Sequence, residues 1–242
     1  MPRSTDLAIE ATGLTKRYGV VSALRGVDLH VPGGTCLALF GPNGAGKSTL
    51  IGVLSTVVRL SGGVARVAGY DVRTEPVEVR RRLGVISHHP WVYDRLTVHD
   101  NLAFFARLYG VREAERRIVA LLDEMELGPW SRFQAGTLSR GTRQRLTIAR
   151  SLLSDPPVLL LDEPYTGLDR HSARIFTERL RSLRQRGRTI LLVTHHLEEG
   201  WALADRAAIL IAGKIVYQAP VKADGLAEFS ATFDRLVTGD AA

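Results

Sequence analysis

Gly41-Pro42-Asn43-Gly44-Ala45-Gly46-Lys47-Ser48-Thr49 places a glycine-rich loop directly before a lysine and two hydroxyls. The loop lies between a short apolar run, Cys36 to Phe40, and a stretch with helical spacing of Leu50, Ile51, Leu54, Val57 and Val58. Glycines let backbone N–H groups turn inward around phosphate oxygens, and a helix N-terminus adds its own positive end. A second acidic motif stands far downstream. Val158-Leu159-Leu160-Leu161-Asp162-Glu163 is an apolar run that ends in adjacent carboxylates. A carboxylate at such a strand end suits Mg²⁺, often through water. The next carboxylate points to the neighbouring side and can polarise an attacking water.

Together these motifs match the P-loop nucleoside triphosphatase pattern. Gly41, Asn43, Gly44, Ala45, Gly46, Lys47, Ser48 and Thr49 are assigned to the nucleotide, with Lys47 on the β- and γ-phosphates. Ser48 and Asp162 are the expected Mg²⁺ contacts, and Glu163 the expected base. The nucleotide expected is ATP.

The subclass rests on Leu138-Ser139-Arg140-Gly141-Thr142, followed by Arg143-Gln144-Arg145. Here the chain resembles the ABC (ATP-binding cassette) family, whose signature Leu-Ser-Gly-Gly-Gln opens a helix shortly before the acidic strand. The resemblance runs from about Leu7 to Gln218. It implies that Tyr18 stacks on adenine, that Gly167-Leu168-Asp169 is the loop crossing a dimer interface, and that His195 is the switch histidine near the γ-phosphate. It further implies head-to-tail pairing, with Ser139 and Gly141 contacting the γ-phosphate held by a second cassette. That partner is expected to be another copy of this chain, with a different cassette as the alternative.

Two departures stand out. Arg140 and Thr142 replace the signature's usual Gly and Gln. The family's glutamine loop reads Ser87-His88-His89. His88 aligns best with the missing glutamine and is counted with Glu163 and His195 among the catalytic residues; His89 is the alternative. An imidazole titrates near pH 6.5 when unperturbed. Activity should fall through that range as pH drops, and His88→Gln should flatten the profile.

The text after His88, with Tyr93 to Val98 and Asn101 to Tyr109, resembles the ATP-binding subunit of haem exporters in cytochrome c maturation; drug-exporter subunits share much of it. The resemblance implies separate transmembrane subunits and a peripheral position on the inner face of the cell membrane. Trp91, Val92 and Tyr93 mark the expected docking groove, against a reading as core of the helical insertion. A non-transport cassette acting on nucleic acid or the ribosome is the competing class. Those families usually carry two modules or a long heptad insertion, so nucleic acid is not an expected partner. The signature and the switch histidine argue against a P-loop kinase or GTPase.

The elements that must position these groups follow from length and pattern. The 242 residues suffice for one α/β domain but not for tandem ATPase modules. No apolar run approaches the roughly 20 residues of a membrane span. Cys36 is the only cysteine, which excludes an intramolecular disulfide. The net charge is +7, much of it in Arg80 to Arg82 and in Arg179, Arg181, Arg184, Arg186 and Arg188; these are read as solvated helix faces. Strands are expected at Leu7 to Val31, Cys36 to Phe40, Val64 to Ala68, Gly84 to Ile86, Val158 to Leu161 and Thr189 to Thr194. A hairpin is expected around Gly213-Lys214. Helices are expected at Lys47 to Leu60, from Val98 (Leu102, Phe105, Leu108 and Tyr109 on one face), from Ser139 to Leu153, at Ile175 to Leu183, Leu197 to Ala204 and about Asp224 to Leu236. The fold class is α/β: a RecA-like P-loop core with an antiparallel β subdomain and a helical subdomain, about 88–153, inserted in a single domain of 1–242.

Overall fold

The computed structural model describes residues 7–87 and 91–238. In chain order it contains β1 (Leu7–Tyr18), β2 (Val21–Pro32), β3 (Cys36–Phe40), α1 (Lys47–Leu54), β4 (Gly62–Val67), β5 (Tyr70–Asp71), α2 (Pro76–Arg81) and β6 (Leu83–Ser87). Then come α3 (Val98–Leu108), α4 (Ala114–Glu124), two short 3-10 turns and α5 (Arg140–Ser151). The rest is β7 (Val158–Asp162), α6 (Arg170–Gln185), β8 (Thr189–Val193), α7 (Leu197–Leu203), β9 (Arg206–Ile211), β10 (Lys214–Pro220) and α8 (Leu226–Thr238).

β3, β7 and β8 are buried at every residue, as their unbroken apolar runs require of parallel strands covered on both faces. They are central in a six-stranded sheet of order β10-β9-β3-β8-β7-β6. Alternate residues divide the core. Ala38, Phe40, Leu159, Leu161, Ile190 and Leu192 pack with the helices α3 to α8. Leu37, Leu39, Leu160, Leu191 and Val193 pack with α1 and the antiparallel sheet β2-β1-β4-β5. The helices α3 to α5 interrupt the parallel sheet between β6 and β7, so the P-loop core carries both an antiparallel and a helical subdomain. Among the described residues no helix is long and apolar enough to cross a membrane.

Register fixes the working edge. Leu39 pairs with Val193, Val193 with Asp162, and Asp162 with Ser87. The segments after β3, β7 and β8 therefore leave the sheet side by side, level with the end of β6, at the carboxyl edge where open α/β sheets bind ligands.

Four expectations are corrected. The helix expected at Lys47 to Leu60 stops at Leu54, because Thr56 turns into the left-handed region (φ 66) and leaves Val57 exposed. Leu108 and Tyr109 do not share the buried face of α3; Leu102 and Phe105 do, and the other two are exposed at the helix end. The arginines between 179 and 188, in α6 and just after it, are not merely a solvated face, although Arg186 is exposed. Arg179 donates to the Glu124 carbonyl (2.5 Å) and pairs with Glu126, Arg184 pairs with Asp205 (2.9 Å), Arg186 with Glu124 (2.7 Å) and Arg188 with Asp155. This charge run joins α6 to the helical subdomain and to the segment after α7. α6 also begins earlier than its apolar spacing suggests, since Asp169 caps Ser172 N–H at 2.7 Å.

Candidate nucleotide site

The loop after β3 is shaped by backbone contacts that only glycine allows. At Gly41 a Cβ would meet the Leu210 carbonyl oxygen, and at Gly46 (φ 106) it would lie 2.5 Å from the Ala23 carbonyl oxygen. Gly213 N–H donates to the Ala45 carbonyl at 2.9 Å, so the β9–β10 turn holds the loop from outside. Gly46 is the N-cap of α1 and offers no side chain, which leaves the first N–H groups of the helix for an anion.

Lys47 is buried and folds back over its own loop, donating to the carbonyls of Gly41 (2.7 Å) and Pro42 (3.0 Å). Its ammonium is 3.9 Å from Glu163 Oε1. Burial pulls the Lys47 pKa below its ordinary value, while Glu163 and Asp162 oppose that shift. Ser48 Oγ donates to Asp162 Oδ1 at 3.3 Å. The pair offers hard oxygens at the end of β7, a donor set that fits Mg²⁺, whose remaining positions are usually water and phosphate.

Glu163 leaves β7 in the left-handed conformation (φ 51), and its N–H donates to the Val193 carbonyl at 2.9 Å. The turn presents its carboxylate to His195 at the end of β8. His195 Nδ1 is 2.8 Å from Glu163 Oε2, and His195 N–H reaches the same oxygen at 3.3 Å. Lys47, Ser48, Asp162, Glu163 and His195 thus form one contiguous group.

The remaining predicted residues stand outside this group of contacts. Asn43 and Gly44 are exposed at the loop crest, and Thr49 is half-buried one residue beyond Ser48. Tyr18 is exposed at the end of β1, with the Lys16 ammonium 4.6 Å from its ring centre. Ser139 caps α5 by accepting from Thr142 N–H at 3.3 Å. Gly141 faces Ser172, whose Oγ would be 3.2 Å from a Cβ at Gly141. Both line a cleft of about 240 Å³ between α5 and α6, together with Leu168 and Phe176; no residue of the glycine-rich loop borders it. Asp169 is engaged as the α6 cap, and that backbone bond holds its carboxyl below the usual range. His88 and His89 lie outside the described residues. Beside them Trp91 and Tyr93 are exposed while Val92 packs on the core, so the groove and core readings divide within one tripeptide.

Sequence reasoning missed Asn101. It is fully buried on α3, accepts from Tyr93 N–H (2.7 Å) and donates to the carbonyls of Tyr93, Leu96 and Thr97 (3.0, 3.3 and 2.9 Å). That network fixes the segment after the histidine pair. An amide within an otherwise apolar helical face was the available signal.

A profile described as ABC transporter matches residues 24–166, more than half of the chain, and the chain belongs to that family. It is an ABC-type ATPase. It is 43% identical over 213 residues to a daunorubicin resistance ATP-binding protein of Streptomyces coeruleorubidus, covering 87% of this chain and 67% of that one. It is 38% identical over 202 residues to the ABC transporter ATP-binding protein NatA of Bacillus subtilis, covering 82% of each. A Nod factor export ATP-binding protein of Rhizobium meliloti is 40% identical, over 86% of this chain and 62% of that protein. The chain thus spans about two thirds of the length of its drug-resistance and Nod-factor relatives. Among solved structures, an ATP-binding subunit of an ABC transporter superposes with TM-score 0.84 at 29% identity, covering 94% and 99% of the chains. A dimeric bacterial ABC transporter cassette superposes with TM-score 0.80 at 25% identity, covering 88% and 99%.

Proposed function

We propose that this chain hydrolyses ATP as one half of a head-to-tail pair and thereby powers export of a small molecule through separate membrane subunits at the inner face of the cell membrane. The observation that carries the reading is the separation of two half-sites. Lys47, Ser48, Asp162, Glu163 and His195 are joined by contacts of 2.8 to 3.9 Å, whereas Ser139 and Gly141 line a different cleft. A second copy supplies the missing half to each.

In this mechanism the phosphates lie on the N-terminus of α1. Lys47 exchanges its two loop carbonyls for β- and γ-phosphate oxygens. Ser48 and Asp162 would hold Mg²⁺, which when bound offsets phosphate charge. Glu163 accepts a proton from the water that attacks the γ-phosphorus, as the bond to the ADP oxygen breaks. His195 steadies that carboxylate through Nδ1–H, and as an imidazolium it would also donate Nε2–H to the γ-phosphate. The partner's signature closes over the γ-phosphate with its serine hydroxyl and glycine N–H. Tyr18 stacks on adenine, Asp169 belongs to the loop crossing the interface, and His88 serves in the glutamine's place. Trp91, Tyr93, Phe104 and Leu108 are the docking face for a membrane subunit.

The names of the relatives support a drug-type or other small-molecule cargo better than haem. The text from Asn101 to Tyr109 is the support for haem export. Turnover per subunit should rise with protein concentration across the dimerisation range; a concentration-independent rate would exclude the paired site. Cargo is tested in a host carrying this chain with its membrane subunit. Lower anthracycline accumulation supports the drug reading, and restored haem attachment to cytochrome c replaces it.

A further inference from the structure

Arg150 lies towards the far end of α5 from Ser139 and is only 8% exposed. Among the described residues no carboxylate lies within ion-pair distance of it. Nη2 donates to the Val85 carbonyl at 3.1 Å, the guanidinium stands 5.1 Å from the Phe105 ring centre, and Nε is buried with no hydrogen-bond partner. Burial draws its pKa below the ordinary value, with Tyr109 opposing, but a guanidinium stays charged in proteins. A buried charge without a counter-ion is a poor stabiliser, and a hydrophobic side chain of similar length is often at least as stable in its place. Stability therefore does not account for an arginine here.

Its neighbours do. Val85 is on β6, two residues before Ser87, and Ser87 Oγ accepts from Trp91 Nε1 at 2.9 Å. Phe105 packs against Tyr93, Phe104 and Tyr109 with ring centres 6.0, 5.2 and 5.8 Å away. One side chain thus joins the signature helix, the strand that ends just before His88 and His89, and the base of the exposed aromatic face. A lysine has no planar fork with which to hold a carbonyl and a ring at once, and a methionine has no donor.

We propose that Arg150 is a positioning residue that couples the signature helix to the aromatic face at Trp91, Tyr93 and Phe104, so that nucleotide closure is felt at the docking surface. This rests on the paired-ATPase reading above. The test uses the full chain with Glu163→Gln to retain ATP and 5-fluorotryptophan at its three tryptophans, Trp91, Trp130 and Trp201. Trp91→Phe identifies the Trp91 resonance.

Mg-ATP should shift the Trp91 ¹⁹F resonance when Arg150 is present. Arg150→Met should bind ATP with unchanged affinity by calorimetry, melt at the same or a higher temperature, and leave that resonance in place. Arg150→Lys should give a reduced shift. In the chain with Glu163 intact, Arg150→Met should lower turnover by roughly fivefold or more, the rate factor that a lost coupling of about 1 kcal/mol becomes, without raising KM for ATP. A full Trp91 shift in Arg150→Met overturns the proposal, and so does a lower melting temperature, which would make Arg150 a stabilising residue. If the parent chain binds no ATP, the nucleotide reading fails. If it binds ATP and Trp91 does not move, only the coupling fails.

Discussion

Around Lys47 the ionic groups already answer one another. The lysine faces Glu163 and Asp162, Ser48 reaches Asp162, and Glu163 holds His195. Around Ser139 one of them does not. Arg143 pairs with Asp94 and Arg145 with Glu126, but the first turn of α5 contains no acidic residue and carries Arg140, whose side chain has no hydrogen-bond or ion-pair partner among the described residues. A cation in the first turn opposes the helix dipole, so this end of α5 presents uncompensated positive charge. The guanidinium rests against Gly167, where any Cβ would collide with it. In the first region each charge faces one of opposite sign, and in the second Arg140 is a surplus that an anion from outside would answer. The contrast supports a site completed between chains.

The largest test of this contrast is Glu163→Gln. Turnover should fall about 10²- to 10⁴-fold, the contribution of a general base, while an ATP-bound dimer accumulates on size exclusion. Near-parental turnover would remove Glu163 from that role. Ser139→Arg attacks the other region. It should leave ATP binding to the single chain intact and abolish hydrolysis, and mixing with Lys47→Ala subunits should restore at most one working site per mixed pair. Normal hydrolysis by Ser139→Arg alone would break the comparison.

Lys47→Ala alone should weaken binding of a non-hydrolysable ATP analogue by about 1.5–3 kcal/mol, the range for hydrogen bonds to charged groups, read by calorimetry. Asn101→Ala strips partners from the backbone of Tyr93, Leu96 and Thr97. It should lower unfolding free energy by about 1–3 kcal/mol in urea melts without changing ATP affinity. A matching loss of affinity would show that the two regions are not independent. Tyr18→Ala should be mildest, weakening ATP by about 0.5–1.5 kcal/mol if the ring stacks on adenine. No change would leave Tyr18 a hairpin residue beneath Lys16.

Much of the frame was legible because burial on both faces leaves a plain mark. Cys36 to Phe40 and Val158 to Leu161 are unbroken apolar runs, and both are interior parallel strands. Periodicity misled where apolar residues continue past a helix end. Val57 keeps the spacing of α1, but Thr56 has already left helical geometry. The arginines at the end of α6 and just after it show the same limit from the polar side. A charge run does not reveal that Glu124 and Asp205 lie within reach, because those contacts span 62 and 21 positions of chain.

The sequence by itself determined which chemistry was available: a glycine loop before a lysine and a serine, two adjacent carboxylates after an apolar strand, and a histidine after another. Residue type and near spacing are local properties, and local backbone rules act on them. Only the tertiary structure decided which of these groups meet. Glu163 and His195 are 32 positions apart and touch because β7 and β8 pair with Asp162 opposite Val193. A shift of that register would move the carboxylate along the sheet edge and part it from the imidazole. Likewise, Ser139 and Gly141 lie with α6 rather than with the glycine loop because α5 packs where its buried Leu146, Ile148 and Ala149 lead it. Pairing and packing couple residues far apart in the chain, and no pattern confined to a few positions carries that information.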